Sequence, residues 1–222
     1  MLIDHTGAVF PLIMPISMRW IGRVAFPVFA YMIAQGCKHT SSIKKYMLRL
    51  GIFALISEIP FDLAFRNSLG IAGFLTNTNV FYTLFFGVAC IAIYEKLENC
   101  NKIVKISAVL PLLIIAEALG MDYGAFGVGF IFILYIAQPE NKYTRTAVLA
   151  SGIVYLYGLS FLLQGWMEDS VSPGYFLFAL AAVPLVFFYN GKKGPKIKWI
   201  FYAFYPIHLM VLAAIRLVFE IE

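Results

Sequence analysis

Charge is what this sequence has least of. Only 13% of its 222 residues are Asp, Glu, Lys or Arg, against about 25% in an ordinary soluble domain. The scarcity argues against a water-soluble globule, because a chain of this length that is 61% hydrophobic cannot bury all of its apolar surface. Cysteine is scarce too. Cys37, Cys90 and Cys100 are odd in number and share no paired spacing, which excludes a disulfide framework and a zinc site. The chain shows no HExxH, no P-loop, no GxGxxG and no serine nucleophile elbow. No internal repeat, low-complexity tract or long linker divides it, and it reads as one domain over residues 1–222. No n-region or small-residue cleavage site marks a signal peptide, so the apolar segments themselves would direct insertion.

What is present is apolar length. Mean hydropathy is +0.83, and aromatic residues reach 17%. Eight long apolar segments lie at about 18–38, 43–66, 79–97, 103–120, 123–138, 144–163, 173–190 and 197–219, most of them near the roughly 20 residues that a helix needs to cross a bilayer. Residues 1–10 form a ninth, short one. As a helix they would reach only about 15 Å, half of a hydrocarbon core. Either the first half of this segment lies upstream or the chain is a shortened one. The expectation is an all-α, polytopic membrane helix bundle with about nine membrane segments, the first incomplete as it stands.

The net charge of +5 does not point to nucleic acid, because the basic residues are scattered over short loops. Lys38, Lys44, Lys45 and Arg49 flank one loop and Lys96, Lys102 and Lys105 the next on the same side. Lys142 and Arg145 flank a third, and Lys192, Lys193, Lys196 and Lys198 a fourth. The positive-inside rule makes these loops cytoplasmic and leaves the C-terminus outside. The acidic residues Asp4, Glu58, Asp62, Glu117, Asp122, Glu168 and Asp169 fall instead in outer halves or outer loops.

An ionisable group inside a membrane costs at least a few kcal/mol and is a functional hypothesis by default. His5 follows Asp4 at the head of the chain. With an unperturbed pKa of about 6.5, an imidazole suits proton abstraction near neutral pH, though a histidine packing a helix end is the plainer account. Asp4 points about 100° away from His5 on a helix, which makes it a poor partner for the ring and a better one for Arg19 or Arg23. Arg23 needs an anion, as a structural salt bridge or for substrate. In "FALISEIPFDLAF", residues 53–65, Glu58 and Asp62 share a helix face, and Pro60 releases the carbonyl of Ile56. Together they suggest a polar cavity, or a counter-charge for Arg23. Asn77 and Thr78 are candidate caps for the next helix, and Asn79 a candidate for the cavity wall. Asp122 sits at a tight outer turn, "MDYGAFGVG". His208 lies near mid-span in "FYAFYPIHLMVL", residues 201–212, with Pro206 releasing the carbonyl of Tyr202. Pro27 is expected to bend its helix. The loop "NGKKGPKIK", residues 190–198, holds Lys192, Lys193 and Lys196. Lysines and backbone N–H groups there could hold phosphates, but positive-inside charge is the plainer account. No metal is expected.

Six stretches, "LIDHTGAVF", "IGRVAFPVFAYMIAQG", "HTSSIKKYMLRLGIFALISEIPFDLAF", "NVFYTL", "MDYGAFGVG" and "FYAFYPIHLMVL", are spread in order over nearly the whole length of the chain. Together they resemble the TraX family, whose named member N-acetylates a conjugative pilin, and which is similar to the wider transmembrane acyltransferases. The resemblance implies a multi-pass protein of the bacterial cytoplasmic membrane. It implies acetyl-CoA as donor, an acceptor reached from the other side, and an intramembrane histidine as base. Carried over, its blocks map onto Asp4-His5, Arg23, Glu58, Asp62 and His208, and make His5 the base or transient acetyl carrier. The cost of polar groups inside a membrane, with their expected proximity, extends the site: His208 and Asp4 join His5, and Arg23, Glu58, Asp62, Asn79, Asp122 and Tyr205 form the substrate-facing set. Lys192, Lys193 and Lys196 are the candidate contacts to the acyl donor. The expected partners are acyl-CoA, a peptide, amine or glycan acceptor, and the lipid bilayer. The alternatives are a small-molecule transporter, which broken helices around a polar centre would also suit, and a structural assembly partner.

Overall fold

The computed structural model describes residues 1–66, 78–137, 141–159, 173–192 and 197–219. Among them every regular element is helical. In order these are α1 (Leu2–Val9), α2 (Ser17–Gly22), α3 (Ala25–His39), α4 (Ile43–Phe65), α5 (Val80–Lys96), α6 (Lys102–Ser107), α7 (Leu110–Ala118), α8 (Gly124–Ile136) and α9 (Lys142–Ile153). A π-helical stretch, Val154–Leu159, follows, and then α10 (Pro173–Ala179), α11 (Ala182–Phe187) and α12 (Lys198–Val218).

Each of the nine apolar segments contains helix, but several are broken. The breaks fall at Arg23–Val24, Ala108–Val109 and Leu180–Ala181, each within four residues before a proline: Pro27, Pro111 and Pro184. Proline has no N–H to offer the carbonyl four residues back. At the third break the carbonyl that Pro184 leaves free, that of Leu180, takes a tighter bond from Val183 N–H at 2.9 Å. At the first break the last turn of α2 closes with a bond of the same tighter kind, Arg23 N–H to the Trp20 carbonyl at 3.1 Å. Pro27 therefore starts a helix, in the first turn of α3, rather than bending one. Pro60 and Pro206 are carried inside unbroken helices.

These breaks shorten the helices, so nine spans are not established. Among the described residues one helical stretch, Trp199–Val218 in α12, is long and apolar enough to cross a membrane by length and composition. α4 is long enough, but Arg49, Glu58 and Asp62 lie along it. Its outward stripe is nonetheless apolar: Leu48, Ile52, Leu55, Ile56 and Ile59 are exposed, at helical spacing. Trp199, Ile200, Phe201, Phe204, Ile207, Val211 and Val218 likewise stand exposed on α12. Apolar surface on this scale marks an interaction face and is consistent with membrane association.

The chain forms two compact units. The first draws on Met1–Phe29, Ile59–Leu69 and Pro139–Glu222, the second on Ala30–Glu58 and Gly70–Gln138. In the first, α1 packs on α2 and α12, α2 on α10, and α9 on α11. Two glycines set these distances. A Cβ on Gly22 would fall 2.1 Å from Asp4 Cβ, and one on Gly174 2.7 Å from the Trp20 indole. In the second unit α5 and α7 pack on α8, and Gly87 lets Ile131 come within the space a Cβ would fill, the close approach that small residues permit between helices. Asparagines cap three helices. Asn79, Asn101 and Asn141 accept the N–H of Phe81, Val104 and Tyr143, satisfying donors that the first turn leaves over.

Candidate functional site

In the first unit α1 and α12 bring two histidines 203 residues apart into contact. His5 Nδ1 lies 2.7 Å from His208 Nε2. The ring planes are 10° apart and the centroids 5.0 Å apart, so the rings lie edge to edge in nearly one plane and share an in-line hydrogen bond. The other nitrogen of His208, Nδ1, lies 2.7 Å from the carbonyl oxygen of Phe204, one turn back on α12. Both rings are buried, at 7% and 5% exposure. Aromatic groups surround them: Phe65 and Tyr205 meet His5 edge-on, Tyr205 does the same to His208, and Phe204 stacks on His208. Tyr205 is itself buried. A polar pair in such walls interacts more strongly than it would in water.

Asp4 is buried beside this pair along α1, but it does not bond His5. Its carboxylate accepts from Arg19 Nη1 at 2.7 Å and from Arg23 Nη2 at 2.6 and 2.7 Å. Arg19 also reaches the Asp4 carbonyl at 3.2 Å. The two arginines are one turn apart, and both hold the same oxygen, Oδ1. At an effective dielectric near 20, two like charges about 5 Å apart repel by ~3 kcal/mol. The carboxylate between them offsets that, and Gly22 gives it room. Arg23 also lies over the Tyr175 ring, 5.3 Å from its centroid. Asp4, placed in the catalytic set and also expected to pair with Arg19 or Arg23, pairs with both arginines, and Arg23 holds an acid of the protein.

Asp62 belongs to the same unit. It is buried and bonds Arg66 at 2.7 Å, one turn along α4. Arg216 donates to the Ala64 carbonyl at 3.1 Å, at the C-terminal end of α4, where a cation complements the helix dipole.

Glu58, Asn79 and Asp122 lie in the second unit and form a cluster of their own. Glu58 is fully buried. Asn79 Nδ2 donates to Glu58 Oε2 at 2.6 Å and to the Ala54 carbonyl at 2.9 Å, while its Oδ1 caps α5. Asn79, the candidate for the cavity wall, is the cap of α5 and uses the rest of its amide to hold an acid. Asp122 joins through its backbone: its N–H donates to the Thr78 carbonyl at 3.0 Å, and its carbonyl accepts from the Thr83 hydroxyl. Of the basic loop, Lys193 and Lys196 lie outside the described residues, as do Asn77, Glu168 and Asp169. Lys192 is exposed, with its N–H on Asn190 Oδ1. Cys37 and Cys90 are buried and Cys100 is exposed. Among the described residues no three His, Cys, Asp or Glu side chains are grouped to hold a metal.

Sequence reasoning named both histidines but not the bond between them. It missed the Phe204 carbonyl and the Phe65 ring, and it did not pair Asp62 with Arg66. The i,i+4 spacing of Phe204 with His208, and of Asp62 with Arg66, was the available signal.

Comparison with known proteins completes these observations. The family model described as TraX protein matches residues 1–216. A probable fimbrial assembly protein, FimC of serogroup H1, from Dichelobacter nodosus is 29% identical over 213 residues, covering 90% of this chain and 83% of that protein. No solved structure matches.

Proposed function

Because the chain belongs to the TraX family, we propose that it is a membrane-embedded acetyltransferase with His5 as general base. The observation that carries this reading is the His5–His208 pair: two imidazoles hydrogen-bonded in line, inside aromatic walls, with the second nitrogen of His5 taking no partner among the described residues. A buried imidazole with one nitrogen anchored and one unused has the form of a general base. The substrates are acetyl-CoA and an amine, for which the subunit of a pilus or fimbria is the first candidate, given that the relative is named a fimbrial assembly protein.

The chemistry balances in one displacement. The neutral amine attacks the thioester carbonyl and a C–N bond forms. His5 Nε2 takes the proton that the nitrogen sheds. The C–S bond breaks, and the thiolate leaves with that proton as free thiol. The Asp4–Arg19–Arg23 group fixes α1 on α2 and so sets where His5 stands. Apolar exposure on α4 and α12 supports a lipid-facing surface, and the distribution of Lys and Arg supports basic loops in the cytoplasm.

The test is thiol release from acetyl-CoA by detergent-purified protein with an amine-rich peptide mixture. His5→Ala should lower turnover by about 10²–10⁴-fold, the usual contribution of a positioned base. Equal turnover by the two proteins would end the proposal. The second reading, a non-catalytic assembly component, is favoured by the relative's name. It predicts no thiol release from either protein and no stabilisation by acetyl-CoA.

A further inference from the structure

The two histidines are not equivalent, and their bonds say which nitrogen holds which proton. His208 Nδ1 is 2.7 Å from the Phe204 carbonyl oxygen. A carbonyl only accepts, so this nitrogen carries hydrogen. A neutral imidazole has one N–H, so His208 Nε2 is then bare and must accept. His5 Nδ1, 2.7 Å away, must therefore donate, which leaves His5 Nε2 with its lone pair. The coplanar arrangement directs the N–H of one ring along the lone pair of the other. His5 Nε2 has no hydrogen-bond partner among the described residues, and it is not one of the buried atoms sealed off without one. The opposite assignment needs both protons, and the positive charge, on His208. Its neighbours are a carbonyl, an imidazole and the rings of Phe204 and Tyr205. No carboxylate bonds either histidine among the described residues, and an unpaired buried charge is costly.

We propose that His208 is a positioning residue: it fixes His5 with hydrogen on Nδ1 and the lone pair on Nε2, so the pair supplies one base and not two. In its catalytic consequence the proposal rests on the acetyl-transfer reading. A carboxylate holds the histidine in the familiar triads; here a neutral imidazole, anchored on a backbone carbonyl, does so. The chain of bonds also ends there. The Phe204 carbonyl cannot take a proton, so His208 has no route to pass one on, and the proton that His5 gains returns to the leaving thiolate.

The protein has three histidines, which makes the tautomer directly measurable. His39→Gln, at the end of α3 in the other unit, leaves two. With ¹⁵N-histidine incorporated, the ring nitrogens of both should read as Nδ1 protonated and Nε2 bare. Hydrogen on Nε2 of either ring would overturn the proposal. This readout needs no turnover, so it stands even if the acetyl-transfer reading fails. The kinetic arm uses His208→Gln, whose amide oxygen can accept from His5 Nδ1 but cannot take up a proton. It should stay within about tenfold of wild type, while His208→Ala should fall about 10²-fold or more, in kcat rather than KM. A His208→Gln protein that is folded yet as slow as His208→Ala would mean that His208 accepts the proton, and would overturn the positioning role.

Discussion

Asp4 is the residue whose neighbours say most about its work. It bonds two guanidinium groups and neither histidine, so its removal should be read first in stability. Asp4→Asn would leave Arg19 and Arg23 side by side without the charge between them. Breaking a buried pair costs ~3–5 kcal/mol. These side chains are 26% and 14% exposed, and solvent screening reduces the cost to about 1–3 kcal/mol. Arg19→Gln in the same background should then recover part of the loss, because it removes the repulsion. Thermal unfolding of the two variants in detergent checks this, and a double variant no more stable than Asp4→Asn would refute it. At this scale much was legible. A polar group in an apolar segment is conspicuous, and Asp4, His5, Arg23, Glu58, Asp62 and His208 stand out for that reason. Their pairings were less legible. Arg23 and Asp4 could be matched by charge alone, but His5 and His208 carry no fixed charge, and nothing in a sequence states which two imidazoles meet.

The α1–α2 hairpin sets the position of His5, and its closest approach is at Gly22. A methyl group there would stand 2.1 Å from Asp4 Cβ, neither of which is a flexible end that can swing away. Gly22→Ala should therefore destabilise the protein by ~1–3 kcal/mol through overpacking, or about 2–4 °C of Tm per kcal/mol at this chain length. Gly51→Ala is the control. It lies inside α4, where the new methyl meets Phe85 only at ordinary contact distance, 3.4 Å, and alanine is the better helix former by about 1 kcal/mol. It should be neutral or stabilising. If both variants melted together with wild type, Gly22 would not be setting the hairpin. The positions of the helices followed from hydropathy, and the prolines carried the rest of the information. Pro27, Pro111 and Pro184 mark breaks up to four residues before them, whereas Pro60 and Pro206 sit in helices that run on. A proline forfeits the same backbone bond in either case, so the residue alone does not separate the two outcomes. One sequence does not contain that decision. The π-helical stretch Val154–Leu159 has no proline within it and left no mark in the pattern.

For the molecule as a whole, the proposed orientation rests on the placement of Lys and Arg, a bias that in membrane proteins acts during insertion and needs no knowledge of packing. Span count is harder. A helix broken before a proline no longer passes as one crossing by length, although its two halves together have the apolar length for one. The chain carries its own probe of the question. Cys100 is exposed, while Cys37 and Cys90 are buried. Cys100 stands just before Asn101, the cap of α6, in the basic loop that also holds Lys96, Lys102 and Lys105. A membrane-impermeant maleimide should label it in inverted membrane vesicles and spare it in intact spheroplasts. Cys100→Ser should abolish the labelling of the inverted vesicles. Labelling from the outer face would invert the orientation. The Asp4, Glu58 and Asp62 halves of their segments would then face the cytoplasm. In the proposed reaction the acceptor would then have to enter from the same side as acetyl-CoA, and a subunit modified at the outer face would no longer be its candidate substrate.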